Sequence, residues 1–266
     1  MNKNISKISL FLKYYKVCDL FIHCLDARAI ISSKITWINS YLQNKPILYV
    51  ALKSDLLTKQ EIEALKKHKF YQNIIFLNCK NFKFKKVVIN KITTILKNKQ
   101  KKWNVNNIFV FGYPNIGKSS LINLLTNKKS CKVENKLHVT KKESWIKIND
   151  NLRILDTPGI LNKKITNMEL KNKLMLINCL NCENDSKEEL VIFALNYLLQ
   201  FYSHRILNIL KINSNLTIKD ITLKELIITI KKHYFTIKKN IYLFLYQKII
   251  SNNINWDLDL IKLHDK

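Results

Sequence analysis

Residues 112–119 read Gly-Tyr-Pro-Asn-Ile-Gly-Lys-Ser and fit the pattern G-x-x-x-x-G-K-[ST] of a phosphate-binding loop. The loop follows the apolar run 107–111, which we expect to form a strand. It leads into residues 118–126, which we expect to form a helix. Its glycines let backbone N–H groups turn toward phosphate oxygens, and the helix N-terminus adds a positive dipole end. Lys118 is expected to reach the β and γ phosphates, and Ser119 to bind Mg²⁺. The stretch predicts a nucleotide site on an α/β fold.

A second loop supports this prediction. Residues 156–159, Asp-Thr-Pro-Gly, follow the short apolar run 152–155. An acidic residue at a strand end is suited to hold magnesium, and the Gly159 N–H can approach the γ-phosphate. Alone, the four residues could form an ordinary β-turn. The chain has only three glycines, however, and all three lie in these two loops.

Composition limits the class of protein. The 266 residues contain three glycines and three prolines, and 47% are hydrophobic. These values exclude collagen-like and linker-type chains and leave ample material for a core. The net charge is +27, from 46 basic and 19 acidic residues. Two interpretations stay open: a polyanionic partner, most plausibly RNA, or compositional drift toward lysine, asparagine and isoleucine.

Short apolar runs alternate with helical patterns in the first two thirds of the chain, which indicates an α/β fold with a mostly parallel sheet. The pattern changes near residue 181, where a polar segment precedes helical spacings that continue to the end. We therefore predict two domains, 1–180 and an all-α 181–266. The predicted strands are 17–25, 46–51, 73–78, 107–111, 144–149 and 152–155. The predicted helices are 34–43, 59–69, 82–99, 118–126, one from Ser186, 219–232 and 236–250.

The order of further motifs indicates a rearranged GTPase. A guanine-recognition motif N-K-x-D should follow the Asp-Thr-Pro-Gly loop, yet its match, Leu-Lys-Ser-Asp at 52–55, lies upstream of both loops. Asn-Cys-Lys at 78–80 corresponds to the next signature, and Asp-Ala-Arg at 26–28 ends the first predicted strand. In this order the chain resembles the circularly permuted P-loop GTPases, above all the family of bacterial ribosome biogenesis GTPase A and its mitochondrial relatives. The resemblance covers about residues 10–210.

This resemblance implies a set of residue roles. Asp55 would pair with the guanine base, and Lys53 would pack along it. Catalysis would involve Lys118, Thr140 and Gly159. Magnesium would be held by Ser119, Thr140 and Asp156, and a potassium ion by Asn115. The nucleotide contacts would come from Lys53, Asp55, Asn78, Cys79, Asn115, Ile116, Gly117, Lys118, Ser119, Ser120 and Gly159.

The resemblance also implies an activity and its partners. The protein would hydrolyse GTP with Mg²⁺ and K⁺, act on the large ribosomal subunit as a monomer, and grip ribosomal RNA with the helical domain. A bacterial-type cytoplasmic location is expected rather than an organelle interior. No apolar run reaches the length of a membrane span. Six cysteines without a secretory signal indicate a reducing compartment, and the lone C-x-x-C at 179–182 lacks the second pair of a zinc site.

Three departures from the family pattern bear on activity. Leu52 replaces the asparagine of N-K-x-D, and Leu137-His138 stands where a Pro-Gly pair usually precedes the switch threonine. Ile160 stands where Ras-like enzymes place a catalytic glutamine, a substitution that the family shares. The resemblance implies an N-terminal histidine at the attacking water, yet no histidine occurs before His23. We interpret His23 as a core residue. His138 could take the place of the missing histidine. We expect weak hydrolysis that the ribosome stimulates. Two alternatives remain: a degenerate, nucleotide-gated RNA-binding module, and an ATP-selective P-loop protein.

Overall fold

The computed structural model describes residues 11–42, 45–97, 105–127, 144–156, 165–183, 187–212, 221–234 and 241–264. The chain divides into two compact units, Met1–Thr166 and Asn167–Lys266. The division lies before the predicted boundary at 180, so residues 167–180 group with the later helices.

Within the described residues, six strands form one sheet. They are β1 (Leu20–Asp26), β2 (Ile47–Leu52), β3 (Ile74–Leu77), β4 (Asn106–Phe111), β5 (Ser144–Asn149) and β6 (Leu152–Asp156). The strand order is β3-β2-β1-β4-β6-β5. All neighbouring pairs are parallel except β5 with β6. The predicted mostly parallel α/β sheet is therefore confirmed.

The burial of the strands follows from their position in the sheet. Every residue of β1 is buried, as expected for a central parallel strand that is covered on both faces. No residue of the edge strand β5 is fully buried, and its residues are exposed or half-buried. The ring of Trp145 on β5 lies 4.7 Å from the Arg153 guanidinium of β6. The core of the first unit therefore lies around β1, β2 and β4.

Three helices in the described part of the first unit match predicted ones. They are α1 (Lys59–Lys67), α2 (Lys83–Leu96) and α3 (Lys118–Thr126). Thr58 and Glu61 form a capping box that fixes the start of α1. α2 is amphipathic and buries Val88, Ile92 and Leu96.

The predicted helix at 34–43 is wrong. The structure forms only a 3₁₀ turn there, Trp37–Ser40. The β-branched pair Ile35 and Thr36 has low helix propensity. The Ile35 N–H instead donates to His23 Nε2 at 3.2 Å, so this segment is tied to β1 rather than to its own next turn.

The second unit is helical in its described parts. Helices are found where the sequence predicts them, from Ser186, at 219–232 and at 236–250, whereas those at 168–176, 206–210 and 258–264 are not predicted. Its helices are α4 (Met168–Leu176), α5 (Lys187–Tyr202), α6 (Ile206–Leu210), α7 (Leu223–His233), α8 (Ile241–Ile250) and α9 (Leu258–His264). A buried lysine joins the first and last of them: Lys173 Nζ lies 2.8 Å from Glu169 and 2.6 Å from Asp259. The Tyr197 and Trp256 rings pack 5.1 Å apart. Among the described helices, none combines the length and the apolar character that a membrane crossing requires.

Candidate nucleotide-binding site

The predicted motifs lie at one edge of the sheet. β1, β2, β3, β4 and β6 run parallel, so their carboxyl ends meet at that edge. The base motif follows β2, the 78–80 signature follows β3, and the phosphate loop follows β4. The chain turns from one side of β1 to the other between β3 and β4. Open α/β sheets bind ligands at such a switch point, outside the carboxyl ends of the strands.

The phosphate loop depends on its two glycines. A Cβ on Gly112 would lie 2.6 Å from the Cys24 carbonyl oxygen of β1, a distance that no side chain tolerates. Gly117 adopts φ +111° where α3 begins, in the left-handed region that favours glycine. Asn115 is also left-handed, with φ 55°. The loop can therefore turn tightly against β1.

Lys118 is buried beneath this loop. Its Nζ donates to the carbonyl oxygens of Gly112 at 3.1 Å and Tyr113 at 2.7 Å. Burial raises the pKa of the neighbouring Cys24 thiol to about 12, although Lys118 opposes the shift. The thiol therefore stays neutral and leaves the ammonium charge of Lys118 available for a phosphate. The side chain of Ile116 is buried, so Ile116 can contact nucleotide only through its backbone.

Two oxygen donors that could hold magnesium lie at or beyond the ends of neighbouring strands of the sheet. Ser119 is half-buried in the first turn of α3, beside the half-buried Ser120, and Asp156 is buried at the end of β6. β4 and β6 are parallel neighbours, so both donors belong to the same edge of the sheet. Hydroxyl and carboxylate oxygens suit this hard cation. Thr140 and Gly159 lie outside the described residues.

The base corner brings two separate motifs together. Lys80 Nζ lies 3.2 Å from the Asp55 carboxylate, and Asn78 Oδ1 accepts the Lys80 N–H at 2.8 Å. Burial, with the Asp55 charge adding to it, raises the pKa of the Cys79 thiol to about 12. Asp55 is partly exposed, so its carboxylate can still pair with the donor edge of a base.

A buried ion cluster holds this corner in place. Asp26 is fully buried and accepts from Arg28 Nε at 3.0 Å and Nη2 at 2.9 Å, and from Lys53 Nζ at 3.0 Å. Burial alone would raise the pKa of Asp26, but the charges of Lys53 and Arg28 outweigh it and hold that pKa well below its usual range. The stem of Lys53, which adopts φ 59°, is thereby fixed next to Asp55.

Sequence comparison assigns the family. Residues 107–240 match the family model described as 50S ribosome-binding GTPase. The match begins at β4, so the base motif at 53–55 lies upstream of it. Over 192 residues, which are 69% of this chain and 68% of the relative, the chain is 38% identical to the "Probable ribosome biogenesis GTPase A" of Mycoplasma genitalium. The chain belongs to the ribosome biogenesis GTPase A family.

Other members and solved structures agree with this assignment. The ribosome biogenesis GTPase A of Priestia megaterium is 27% identical over 203 residues, covering 72% of this chain and 70% of the relative. The crystal structure of GNP-bound YlqF from T. maritima superposes with a TM-score of 0.61 at 19% identity, covering 96% of this chain and 97% of that one. At that identity the likeness concerns the fold alone, and it fits the circularly permuted order.

This ribosome biogenesis GTPase departs from the base motif at Leu52. The Leu52 side chain is buried, and its Cδ1 atom would lie 3.1 Å from a Cβ built on Gly117. An apolar contact therefore joins the base motif to the phosphate loop where N-K-x-D proteins place an asparagine. The sequence revealed the substitution but not its partner.

The ion cluster is the part of the site that sequence reasoning missed. Asp-Ala-Arg was recognised as a motif, yet nothing predicted its contact with Lys53. The signal was available, because β1 and β2 both end at these motifs and a parallel register would place Asp26 opposite Leu52. In that register Asp26, at the end of β1, lies close to Lys53, which directly follows β2.

His23 is a core residue of this GTPase, as predicted. It is fully buried and stacks on Phe111 with 4.3 Å between ring centroids. Burial, aided by the Lys34 charge, lowers the pKa of His23 to about 3. Because it is fully buried, His23 cannot reach a water that attacks a bound nucleotide. His138 and Ile160 lie outside the described residues.

Proposed function

We propose that this protein is a GTP-hydrolysing assembly factor that acts on the large ribosomal subunit. The observation that carries the proposal is the joint placement of the phosphate loop and the Asp55 corner at one edge of a permuted sheet. Membership of the ribosome biogenesis GTPase A family supports the biological setting. The large subunit as target rests on the family description.

The phosphate loop binds the triphosphate. Backbone N–H groups of residues 115–119 cradle the β-phosphate, and Lys118 moves its hydrogen bonds from loop carbonyls to phosphate oxygens. Ser119 and Asp156 hold the magnesium ion, together with Thr140 from the segment between α3 and β5. Magnesium neutralises charge that develops on the phosphates during transfer. The Gly159 N–H contacts the γ-phosphate.

The base corner selects guanine. The Asp55 carboxylate accepts hydrogen bonds from the N1 and N2 donors of guanine. The side chain of Lys53 packs along the plane of the base, and Asp26 binds the Lys53 ammonium group. Asn78 and Cys79 close the other side of the base through their backbone. The placement of Lys80 against Asp55 supports this arrangement.

Hydrolysis is slow without the ribosome. Ile160 cannot polarise water, and His23 is buried and neutral. The attacking water is positioned by His138 or by a group of the ribosome. A potassium ion held by the Asn115 side chain supplies further positive charge near the β and γ phosphates.

Residues 181–266, the predicted all-α domain, contact ribosomal RNA. Exposed Lys231 and Lys232 in the last turn of α7 support this role. The protein acts as a monomer in the cytoplasm, a location that the bacterial relatives support.

The test measures GTP binding, GTP turnover and co-sedimentation with isolated large ribosomal subunits. We expect micromolar or tighter GTP binding, subunit co-sedimentation that depends on the nucleotide, and turnover that rises when subunits are added. Potassium is exchanged for sodium in a parallel series. Absence of GTP binding together with absence of co-sedimentation in every nucleotide state would end the proposal.

A second candidate is a nucleotide-gated RNA-binding module that hardly hydrolyses GTP. Leu52 in place of the base-binding asparagine favours it, since the substitution removes a hydrogen bond to guanine. Single-turnover rates distinguish the two functions. Rates that stay at the uncatalysed level even with large subunits favour the module, whereas a ribosome-stimulated rate favours the GTPase.

A further inference from the structure

The positive charge of this protein is concentrated in its first unit. Residues 1–166 carry 32 basic and 9 acidic side chains, and residues 167–266 carry 14 and 10, so the net charges are +23 and +4. No Asp or Glu occurs between Glu63 and Glu134. Compositional drift would act on both units alike. The asymmetry therefore calls for a local explanation within the GTPase unit.

The helix α2 is the most basic described element of that unit. Lys83 and Lys86 lie on α2 and Lys97 directly follows it, and all three are exposed at helical spacing on the side opposite the buried Val88 and Ile92. The three ammonium groups form no ion pair with another described residue. A helix of this length extends over roughly 20 Å. It presents a row of unneutralised charge to solvent.

An exposed aromatic ring lies at the start of this row. Phe82 is 72% exposed and immediately precedes Lys83. The ring packs against no other ring within the described residues. Leaving such a ring in water costs free energy that a stacking partner would recover. Unpaired bases stack on exposed aromatic side chains next to lysines that bind the backbone.

We propose that Phe82, Lys83, Lys86 and Lys97, here called the basic helix face, bind single-stranded RNA. Phe82 stacks on one unpaired base, and the lysines neutralise phosphates of the same strand. The contact lies on the GTPase unit and adds to the one proposed for residues 181–266. It rests on the proposed function in that the natural strand belongs to ribosomal RNA.

The location of the face links it to the nucleotide site. Phe82 follows the 78–80 signature by two residues, and Lys80 of that signature pairs with Asp55. An RNA strand on the basic helix face therefore lies beside the base corner. This proximity gives RNA a physical route to influence nucleotide exchange.

The experiment measures binding of a fluorescein-labelled, 12-nucleotide uridine-rich RNA to the full-length protein across a salt series. One variant carries Lys83→Glu and Lys86→Glu. Its matched control carries Lys59→Glu and Lys67→Glu, which change the charge equally on exposed positions of α1. We expect the α2 variant to bind at least tenfold more weakly than the control. Its slope of log affinity against log salt should fall by roughly 1.4, since each single-strand phosphate contributes about 0.7.

Phe82 is tested separately because it carries no charge. Phe82→Ala should weaken binding roughly 5-fold to 100-fold, the range for loss of one base–aromatic stack, without changing the salt slope. Phe82→Tyr should restore the affinity. Equal losses in the two lysine variants, or Phe82→Ala within twofold of wild type, would overturn the proposal.

Two further readouts separate the possible failures. GTP binding is measured for every variant and should stay unchanged, which establishes that the unit is folded. Vesicles containing 30% anionic lipid are titrated in parallel. A loss confined to vesicle binding would overturn the RNA assignment. Failure of wild-type protein to sediment with large subunits, while oligonucleotide binding follows the expected pattern, would count against the proposed function alone.

Discussion

The two corners of the nucleotide site differ in what holds them. The phosphate corner depends on backbone geometry: Gly112 fits only because it lacks a Cβ against Cys24, and Gly117 needs its positive φ. The base corner depends on side chains, namely the Asp26–Lys53 pair and the contact of Leu52 with Gly117. Few residues other than glycine can adopt these backbone conformations, whereas one side-chain contact can be replaced by another. This difference explains why the base corner tolerates Leu52 in place of the asparagine of N-K-x-D.

The largest effect is expected for Lys118→Ala at the phosphate corner. The substitution removes a buried ammonium group, whose charge-assisted hydrogen bonds contribute about 1.5–3 kcal/mol each. GTP affinity should fall at least about 100-fold by fluorescent-nucleotide titration, and nucleotide-dependent release from ribosomes should disappear.

The exposed Lys59→Ala serves as the matched control and should leave GTP affinity unchanged. RNA binding at low salt should survive in Lys118→Ala. If low-salt RNA binding is lost as well, nucleotide and RNA binding are not separate properties.

The base corner is tested first through Asp55→Asn. The carboxylate loses one of its two acceptors for the guanine donors, so GTP affinity should fall roughly 10-fold to 100-fold. ATP affinity should hardly change, as measured by competition. Asp150→Asn, in the exposed turn between β5 and β6, is the control. A variant that binds GTP as tightly as wild type would point to ATP as the natural ligand.

A smaller effect in the opposite direction is expected for Leu52→Asn. The new amide supplies the missing hydrogen bond, so GTP affinity should rise roughly 3-fold to 10-fold, equivalent to about 1 kcal/mol. The free energy of unfolding should fall, because a buried apolar contact with Gly117 is lost. Leu52→Ala should lose stability without gaining affinity. Equal GTP affinities in the Leu52→Asn variant and in wild type would show that Leu52 does not limit base binding.

A last effect, on stability rather than on GTP affinity, concerns His23 of β1. The pKa of His23 is about 3 in the folded protein, so between pH 6.5 and 3 the unfolded chain binds more protons than the folded one. The free energy of unfolding should therefore fall as the pH drops from 6.5 toward 5, where Asp26 stays ionised in both states. His23→Phe should flatten this slope in urea titrations at successive pH values. An unchanged slope would assign the pH dependence to other groups.

The sequence predicted most of this fold because its signals are local. The strands alternate with helical patterns, and α3 begins and ends at its predicted residues. The helix predicted at 34–43 is wrong because Ile35 is tied to β1 by its hydrogen bond to His23, which helical spacing does not reveal. The pairing of Asp26 with Lys53 could not be read directly, since it spans 27 residues and depends on strand register. The circular permutation, by contrast, could be predicted from the order of the motifs alone.

The position of β1 in the sheet has a consequence during synthesis. β1 pairs with β2 on one side and with β4 on the other, and β4 is made last of the three. At roughly 5–20 residues per second, the interval from Asp26 to Phe111 lasts roughly 4–17 s. Until β4 is made, the nascent chain presents an open strand edge, which is a template for wrong pairing. This GTPase therefore leaves the translating ribosome with one edge of its central strand unpaired until β4 follows.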